Sequence, residues 1–242
     1  MKFILGNKMT KTSIVFFVTL LLSISIVGCS EAPPTHSSPT ISEAEAGSKQ
    51  ALSPLLPVKW VQGTHYNIIA DTPSEQQEIV EYFSFWCPAC YRFETLANKI
   101  KSKLDSDVKF RKVHVNFMKF TTPEIQEQAT QAMLVGRALG LEESMNAAIF
   151  AHIHKQGKKI EGLADLKELF NSGVSITDFE NTLNKAEVTE AFTQNNDEID
   201  QFKEHLKGVP NVIVNGKYQA KFSRDMTAQD IVDLVNWLSQ QQ

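Results

Sequence analysis

Cysteine is scarce in this sequence, since its 242 residues include only Cys29, Cys87 and Cys90. A structural zinc site uses four ligands, and Cys29 lies far from the other two in a different kind of segment. His152 and His154 stand two residues apart, so on a helix they would point to different faces. We therefore expect neither a bound metal nor any other cofactor.

Net positive charge is also lacking. The formal charge is −4 over the full sequence, and it becomes −7 for residues 29–242 because residues 1–28 contain three lysines and no acidic residue. An acidic chain has no electrostatic attraction for the phosphate backbone of nucleic acids. We therefore expect no nucleic-acid partner.

The apolar core at residues 14–27 is too short for a membrane-spanning helix, which needs about 20 residues, and suits a signal peptide. The sequence Ile26-Val27-Gly28-Cys29 follows and resembles the processing box of bacterial lipoproteins. We predict a lipoprotein signal peptide over residues 1–28 and lipidation of Cys29. An ordinary secretory signal or an uncleaved anchor is the alternative. Ser30, rather than Asp, follows the cysteine, which by the same resemblance favours the outer membrane over the inner one.

Residues 29–57 are rich in Ser, Pro, Thr, Ala and Glu and offer little apolar surface to bury. Such a composition cannot offset the entropy cost of folding, so the segment is predicted to be a disordered tether. The tether would hold the remaining domain away from a membrane surface.

The most informative motif is the Cys-x-x-Cys of Cys87 and Cys90, which stands between an apolar run at residues 79–86 and a helix-forming stretch at 91–104. In this strand–turn–helix setting the motif indicates a thiol–disulfide redox site. Pro88 fits the first helical turn, and Cys87 sits where free N–H groups and the helix dipole favour a thiolate. We therefore predict that Cys87 is the nucleophile and that Cys90 closes a disulfide with it. A purely structural bridge is disfavoured because a four-residue loop restricts little chain entropy.

The spacing of apolar residues predicts an α/β fold in which an all-helical segment separates the first three strands from the last two. Asn215-Gly216 predicts a hairpin turn, and Thr122 and Thr227 are expected to cap helices. Strands are predicted at residues 65–70, 79–86, 108–115, 211–214 and 217–220, and further helices at 142–155, 163–171, 176–184 and 187–206.

Three segments resemble the DsbA family of periplasmic thiol oxidases, and they occur in the family's order. They are Phe-Ser-Phe-Trp-Cys-Pro-Ala-Cys-Tyr-Arg-Phe-Glu at residues 83–94, His-Val-Asn-Phe-Met at 114–118, and Gly-Val-Pro-Asn-Val-Ile-Val-Asn-Gly-Lys-Tyr at 208–218. The resemblance implies a thioredoxin-like fold with an inserted all-helical domain. The thioredoxin-like domain would comprise residues 58–118 and 207–242, and the insertion residues 119–206.

The resemblance also implies roles for individual residues. Pro210 would be a cis-proline beside the cysteine pair, and Val209 would offer backbone hydrogen bonds to an extended substrate peptide. The best-known oxidases of the family carry histidine where this chain has Ala89. A neutral methyl removes one source of thiolate stabilisation, which leaves the direction of electron flow open.

Glu81 and Lys112 each share a predicted strand face with apolar residues. Because an unpaired buried charge is very costly, we expect the two to compensate one another across the sheet. The alternative is that either charge reaches solvent at a strand end. The resemblance agrees with a pair, since the family carries a buried acid and lysine beneath its redox site, where the carboxylate could relay the proton of Cys90. His114 is interpreted as structural.

The sequence therefore predicts a monomeric envelope thiol:disulfide oxidoreductase that introduces disulfide bonds into unfolded exported proteins with free thiols. It would act in the periplasm and touch the membrane only through its lipid anchor. By resemblance, a DsbB-type membrane protein would reoxidise the Cys87–Cys90 pair. The alternatives are a disulfide reductase or isomerase, and a peptide-binding or chaperone module with a structural disulfide.

Overall fold

The computed structural model describes residues 59–170 and 173–241. The predicted signal peptide at 1–28, the lipidation site Cys29 and the tether at 29–57 lie outside the described residues. Within the described ranges, no helix combines the length and the apolar character needed to cross a membrane.

A five-stranded mixed sheet forms the centre of the fold, in the order β1-β5-β4-β2-β3. Strand β2 pairs in parallel with β3 and antiparallel with β4, and its residues 79–83 are all buried. Burial on both faces explains why its sequence is almost continuously apolar. The strands are β1 at Tyr66–Ile68, β2 at Glu78–Phe83, β3 at Lys109–His114, β4 at Asn211–Val214 and β5 at Tyr218–Ala220.

Two helices cover one face of the sheet. Helix α1 spans Pro88–Lys101, and the last helix, α7, spans Ala228–Ser239. Their apolar residues share one buried cluster with Ile79 of β2 and Val212 of β4. This layer holds the N-terminus of α1 against the end of β2.

Among the described residues between β3 and β4 there are five α-helices, in agreement with the predicted all-helical insertion. The last of them, α6, covers the other face of the sheet, where its Ile199 and Phe202 pack with Val80 and Tyr82. The segment predicted as one helix at 142–155 is divided, because α3 ends at Phe150 and a π-helix follows. The elements are α2 at Pro123–Ala138, α3 at Glu142–Phe150, the π-helix at Ala151–Lys155, α4 at Leu163–Phe170, α5 at Ile176–Leu183 and α6 at Ala186–Phe202.

The predicted hairpin is present as β4 and β5, which pair antiparallel. Asn215 and Gly216 form its turn with φ of 50° and 61°, the left-handed backbone that asparagine and glycine tolerate best. The buried Asn215 side chain accepts a hydrogen bond from the N–H of Glu78 at 3.0 Å. It also donates to the carbonyls of Ser239 at 3.0 Å and Gln241 at 3.1 Å. One side chain thus joins the hairpin, the start of β2 and the end of α7.

Candidate functional site

The two cysteines lie at the junction between β2 and α1. The strand ends at Phe83, the helix begins at Pro88, and Cys87 is the residue that caps it. The N–H of Cys87 donates to the carbonyl of Ser84 at 3.0 Å, which closes a tight connection. Cys87 is 5% exposed and Cys90 is fully buried. The predicted strand–turn–helix setting is therefore present, with the outer sulfur at the helix N-terminus.

The surroundings of the two sulfurs shift their pKa values in opposite directions. The pKa of Cys87 is lowered to about 6, chiefly by a hydrogen bond from the Cys90 thiol. The N–H groups of Cys90 and Ala89 and the charge of Arg92 act in the same direction, and burial of Cys87 opposes them. The N–H of Cys90 lies 3.2 Å from the Cys87 sulfur. The same thiol hydrogen bond and full burial raise the pKa of Cys90. Cys87 is thus suited to attack or leave as a thiolate, and Cys90 holds its proton.

The second part of the site comes from the loop before β4. The Val209–Pro210 peptide bond is cis, which confirms the prediction made from the family resemblance. The Cys87 Sγ lies 3.3 Å from the carbonyl oxygen of Val209 and can donate its thiol hydrogen there. The structure therefore brings the redox pair and the cis-proline loop together, although 122 positions separate Cys87 from Val209 in the chain.

An ion cluster lies beneath the cysteines. Glu81 and Lys112 are directly paired in the β2–β3 register, and the Lys112 Nζ lies 3.1 Å from Glu81 Oε2. Lys112 forms a second ion pair with Glu94 of α1. The predicted contact between Glu81 and Lys112 is confirmed, and the alternative of a charge reaching solvent is wrong for Glu81, which is fully buried.

Burial dominates the chemistry of Glu81. It raises the pKa of this carboxyl to about 7, although the neighbouring charge of Lys112 works in the opposite direction. Among the residues that the structure describes, Glu81 Oε1 has no hydrogen-bond partner, and Oε2 has the ion pair with Lys112 as its polar contact. The negative charge of Glu81 also helps to raise the pKa of Cys90. A carboxyl that titrates near neutral pH and interacts electrostatically with a buried thiol has the properties of a proton relay.

Glu94 extends this cluster toward the surface, because its side chain is 23% exposed whereas that of Glu81 is fully buried. Glu94 and Lys112 also border a cavity of about 770 Å³ between α1, β3 and the α2–α3 region. Sequence reasoning missed Glu94 as a member of the cluster. The available signal was its place at the end of the 83–94 segment that carries the family resemblance.

His114 lies fully buried in an aromatic layer beside the junction, stacked on Phe85 with ring centroids 4.8 Å apart. Burial lowers the pKa of His114 to about 3, so the ring is neutral. The Thr130 hydroxyl donates to the carbonyl of Gln126, and its oxygen therefore accepts from His114 Nδ1 at 2.8 Å. A neutral histidine packed among aromatic rings agrees with the structural role predicted from the sequence.

His154 is a second residue near the junction that the sequence did not assign. Its Nε2 lies 2.7 Å from the carbonyl oxygen of Phe85, and its ring stacks on Tyr91. The sequence offered no signal for these contacts, since His154 lies on the π-helix, about 70 positions from the junction. Within residues 59–170 and 173–241, no group of three or more His, Cys, Asp or Glu side chains is arranged to hold a metal ion.

Comparisons with known proteins agree with this geometry. A family model described as thioredoxin matches residues 70–235. The thiol:disulfide interchange protein DsbA of Escherichia coli O6:H1 (strain CFT073) is 30% identical over 192 residues, which span 75% of this chain and 89% of the relative. DsbA of Haemophilus influenzae is 30% identical over 186 residues, which span 74% of this chain and 87% of the relative.

Solved structures are similar over the same region. The disulfide oxidoreductase DsbA from Proteus mirabilis is 26% identical, with a TM-score of 0.65, and the match covers 75% of this chain and 98% of that one. A cysteine-to-serine variant of Proteus mirabilis DsbA with a non-covalently bound peptide, PWATCDS, is also 26% identical. Its TM-score is 0.64, and the match covers 75% of this chain and 99% of that one.

Proposed function

The chain belongs to the DsbA family of thiol:disulfide interchange proteins, within the thioredoxin family, and from this premise we propose that Cys87 and Cys90 are its redox pair. The chain is a thiol:disulfide oxidoreductase that introduces disulfide bonds into other proteins. The observation that carries the assignment of the pair is the Cys87 sulfur at the N-terminus of α1, 3.2 Å from the N–H of Cys90 and 3.3 Å from the Val209 carbonyl.

The reaction begins with the Cys87–Cys90 disulfide. A client thiolate attacks the Cys87 sulfur, the bond to Cys90 breaks, and Cys90 leaves with the electron pair and takes up a proton. A second client thiolate attacks the client sulfur of this mixed disulfide and displaces Cys87 as a thiolate. The client gains one disulfide and the pair gains two electrons. The lowered pKa of Cys87 makes it a good leaving group and favours the reduced enzyme.

Glu81 is proposed to supply the proton that Cys90 needs. Its pKa of about 7 means that both protonation states are populated near neutral pH, while Cys90 has a raised pKa and holds a proton firmly. Lys112 and the partly exposed Glu94 connect this carboxyl to the surface side of the cluster. Proton transfer beneath the pair thereby accompanies electron transfer at the outer sulfur, that of Cys87.

Val209 and Pro210 are proposed to hold the client. A peptide that lies extended along this loop exchanges main-chain hydrogen bonds, which do not depend on the client's sequence. Contacts of this kind suit unfolded exported proteins that share only a free thiol. Pro88 and Ala89 shape the first turn of α1 and add no charge beside the sulfur. The peptide bound to the Proteus mirabilis relative contains a cysteine, which supports the same class of client here.

The cellular setting is proposed from the N-terminal sequence. Lipid at Cys29 would anchor the chain in the periplasm, with the outer membrane favoured, and residues 29–57 would act as the tether. The protein would work as a monomer and touch the membrane only through the anchor. Reoxidation of the Cys87–Cys90 pair would come from a DsbB-type membrane protein.

The first test is the redox equilibrium of the purified full-length chain against a series of glutathione buffers. We expect a potential between that of thioredoxin, about −270 mV, and that of DsbA, about −120 mV, because the Cys87 pKa of about 6 lies between the thiol pKa values of about 7 and about 3.5 in those two proteins. A value near thioredoxin's would reverse the direction of electron flow and favour the reductase alternative.

Cys90→Ala tests the assignment of the reactive sulfur. This variant keeps a Cys87 thiolate that can attack client disulfides but lacks the thiol that would release the mixed disulfide. We expect adducts with envelope proteins that disappear on reduction, seen on non-reducing gels. Cys87→Ala is the matched control and should form none, while a binding module with a structural disulfide would retain its peptide affinity in both variants. Adducts in Cys87→Ala would show that the attacked sulfur is misassigned.

A further inference from the structure

The carbonyl group of Phe85 lies between the two regular elements of the redox junction. Strand β2 has ended at Phe83 and α1 begins only at Pro88, so neither ladder supplies a hydrogen-bond donor for this oxygen. Phe85 is fully buried, and a buried carbonyl without a partner costs free energy comparable to a lost hydrogen bond. Its partner is His154, whose Nε2 lies 2.7 Å away.

His154 reaches this position from the π-helix at Ala151–Lys155, which continues α3. A π-helical turn is rare and changes the direction in which the following side chains point, and such turns are frequent at functional sites. The His154 ring also lies parallel to the ring of Tyr91, with centroids 5.1 Å apart and an angle of 10°. A single imidazole therefore contacts the junction two residues before Cys87 and one residue after Cys90.

The chemistry of this contact makes His154 a permanent donor. A carbonyl oxygen only accepts hydrogen bonds, so His154 Nε2 carries its hydrogen in both the neutral and the protonated ring. The bond to Phe85 therefore persists whether or not Nδ1 is protonated. His154 does not exchange a proton with either cysteine through this bond, and its contribution is to geometry.

We propose that His154 is a positioning residue for the redox pair: it fixes the Phe85 carbonyl and the Tyr91 ring, and so keeps the N–H of Cys90 directed at the Cys87 sulfur. The inference rests on the proposed function of the pair. Ala89 adds no charge beside the sulfur, and the N–H groups of Cys90 and Ala89 are, after the Cys90 thiol, the hydrogen-bond donors that lower the pKa of Cys87. Loosening the junction therefore destabilises the reduced enzyme and makes the disulfide less oxidising.

The test compares His154→Leu with His152→Leu in the full-length chain. His152 is a matched control, because it lies on the same π-helix and its Nε2 contacts the carbonyl of Lys159 at 3.0 Å, outside the redox junction. Each variant loses one imidazole and one bond to a backbone carbonyl. We expect the equilibrium constant for reduction of the Cys87–Cys90 disulfide by glutathione to fall about threefold to tenfold in His154→Leu and to stay within about twofold in His152→Leu.

A rescue variant separates position from general stability. His154→Gln keeps an N–H donor on a side chain of similar reach, so it should recover at least half of the lost equilibrium shift. The midpoint of thermal unfolding should fall further in His154→Leu than in His152→Leu, because the Phe85 carbonyl is buried whereas the contact between His152 and Lys159 is exposed. If His154→Leu does not fold, His154→Asn takes its place, because the shorter amide cannot span the distance to the Phe85 carbonyl.

The outcomes separate this inference from the proposed function. The positioning role would be overturned if the redox equilibria of the two leucine variants were equal, or if His154→Gln recovered none of the shift. The proposed function would still stand in that case, provided that the wild-type chain is redox-active. A wild-type chain that forms no reversible Cys87–Cys90 disulfide would contradict both.

Discussion

At the scale of single residues, Cys87 and Cys90 share one helical turn but differ in how their sulfurs are solvated. The Cys87 sulfur accepts a backbone N–H and stands at the positive end of α1, where negative charge is stabilised. The Cys90 sulfur is fully buried and serves as the donor in the thiol pair. This division of roles follows from position in the helix rather than from residue type.

The lowered pKa of Cys87 predicts a pH profile for the reduced chain. The rate of alkylation by iodoacetamide should rise with pH with a midpoint near 6, because only the thiolate reacts. Since the pKa of Cys87 in the folded chain is below that of a free cysteine, about 8.5, the thiolate stabilises the folded reduced form fully above about pH 8.5, and this contribution is lost as pH falls through about 6. A midpoint near 8.5, the value of a free cysteine, would contradict the role of the helix N-terminus.

Glu81→Gln tests the cost of the buried carboxyl. A raised pKa means that the folded state binds the proton more tightly, so the wild type loses stability as pH rises from 4.5 through about 7. We expect the free energy of unfolding of the variant to exceed that of wild type by up to about 3 kcal/mol at pH 8 and to be nearly equal to it at pH 4.5. The magnitude follows because each unit of pKa shift is worth about 1.36 kcal/mol. Urea denaturation at the two pH values measures this.

The same variant should slow reduction of the Cys87–Cys90 pair by a client, since the amide neither gives nor takes the proton of Cys90. Glu75→Gln is the control, because it removes an exposed carboxylate and should change neither quantity. A Glu81→Gln chain that is less stable than wild type at pH 8 would indicate that its ion pair with Lys112 outweighs the cost of burial.

Residues of the site differ in how visible they are from sequence. The contact of Glu81 with Lys112 could be predicted because strand alternation places each charge on an apolar face, where an unpaired charge is costly. Glu94 was missed because its approach to Lys112 depends on how α1 packs across the sheet. His154 was missed because a π-helix breaks the periodicity from which a helical face is read.

At the scale of elements, apolar runs predict where the chain is buried more reliably than where an element ends. The run at residues 79–86 was predicted as one strand, yet β2 ends at Phe83 and Phe85 is buried in the loop that follows. The helix predicted at 187–206 ends at Phe202, although Leu206 is buried beyond it. These positions are apolar because they pack in the core, although they lie beyond the end of the strand or helix.

The N-terminus of α7 offers a test at this scale. Thr227 Oγ1 accepts from the N–H of Asp230 at 3.1 Å, and the Asp230 carboxylate accepts from the N–H of Thr227 at 3.1 Å, which forms a capping box. Thr227→Ala should lower the free energy of unfolding by about 1 kcal/mol. Thr193→Ala is the control, because that hydroxyl is exposed in α6 and donates to the carbonyl of Thr189 at 3.1 Å.

The redox equilibrium should stay within about twofold of wild type in both threonine variants, because α7 belongs to a different buried cluster from the cysteine pair. A redox shift in Thr227→Ala as large as that expected for His154→Leu would mean that any loss of stability disturbs the pair.

At the scale of the whole molecule, the site is assembled from distant parts of the chain. Periodicity alone predicted the elements, including the helices between β3 and β4, but not the strand order or the meeting of Cys87 with Val209. The family resemblance supplied the fold and the place of Pro210 beside the cysteine pair, and the order of the strands was not predicted. Strand order depends on long-range pairing between β2 and its neighbours, which no local pattern encodes.

Cys29→Ser tests the proposed anchor of the whole chain. Without the cysteine thiol no lipid can be attached, so we expect the variant to lose the incorporation of labelled fatty acid that the wild-type chain shows. The glutathione equilibrium should not change, because Cys87 and Cys90 form the proposed pair. A wild-type chain that incorporates no fatty acid would favour the alternative of an ordinary secretory signal or an uncleaved anchor.

The Asn215-Gly216 turn has a consequence for chemical ageing. An asparagine before glycine is the sequence most prone to deamidation, in which the next backbone nitrogen attacks the side-chain amide carbon to form a succinimide. Here the Asn215 side chain makes three hydrogen bonds, to Glu78, Ser239 and Gln241. They restrict rotation of the side chain and so keep its amide carbon from turning toward the attacking nitrogen. Folding therefore protects this amide, and an aspartate formed there in an unfolded chain would lose both donors that fasten the end of α7.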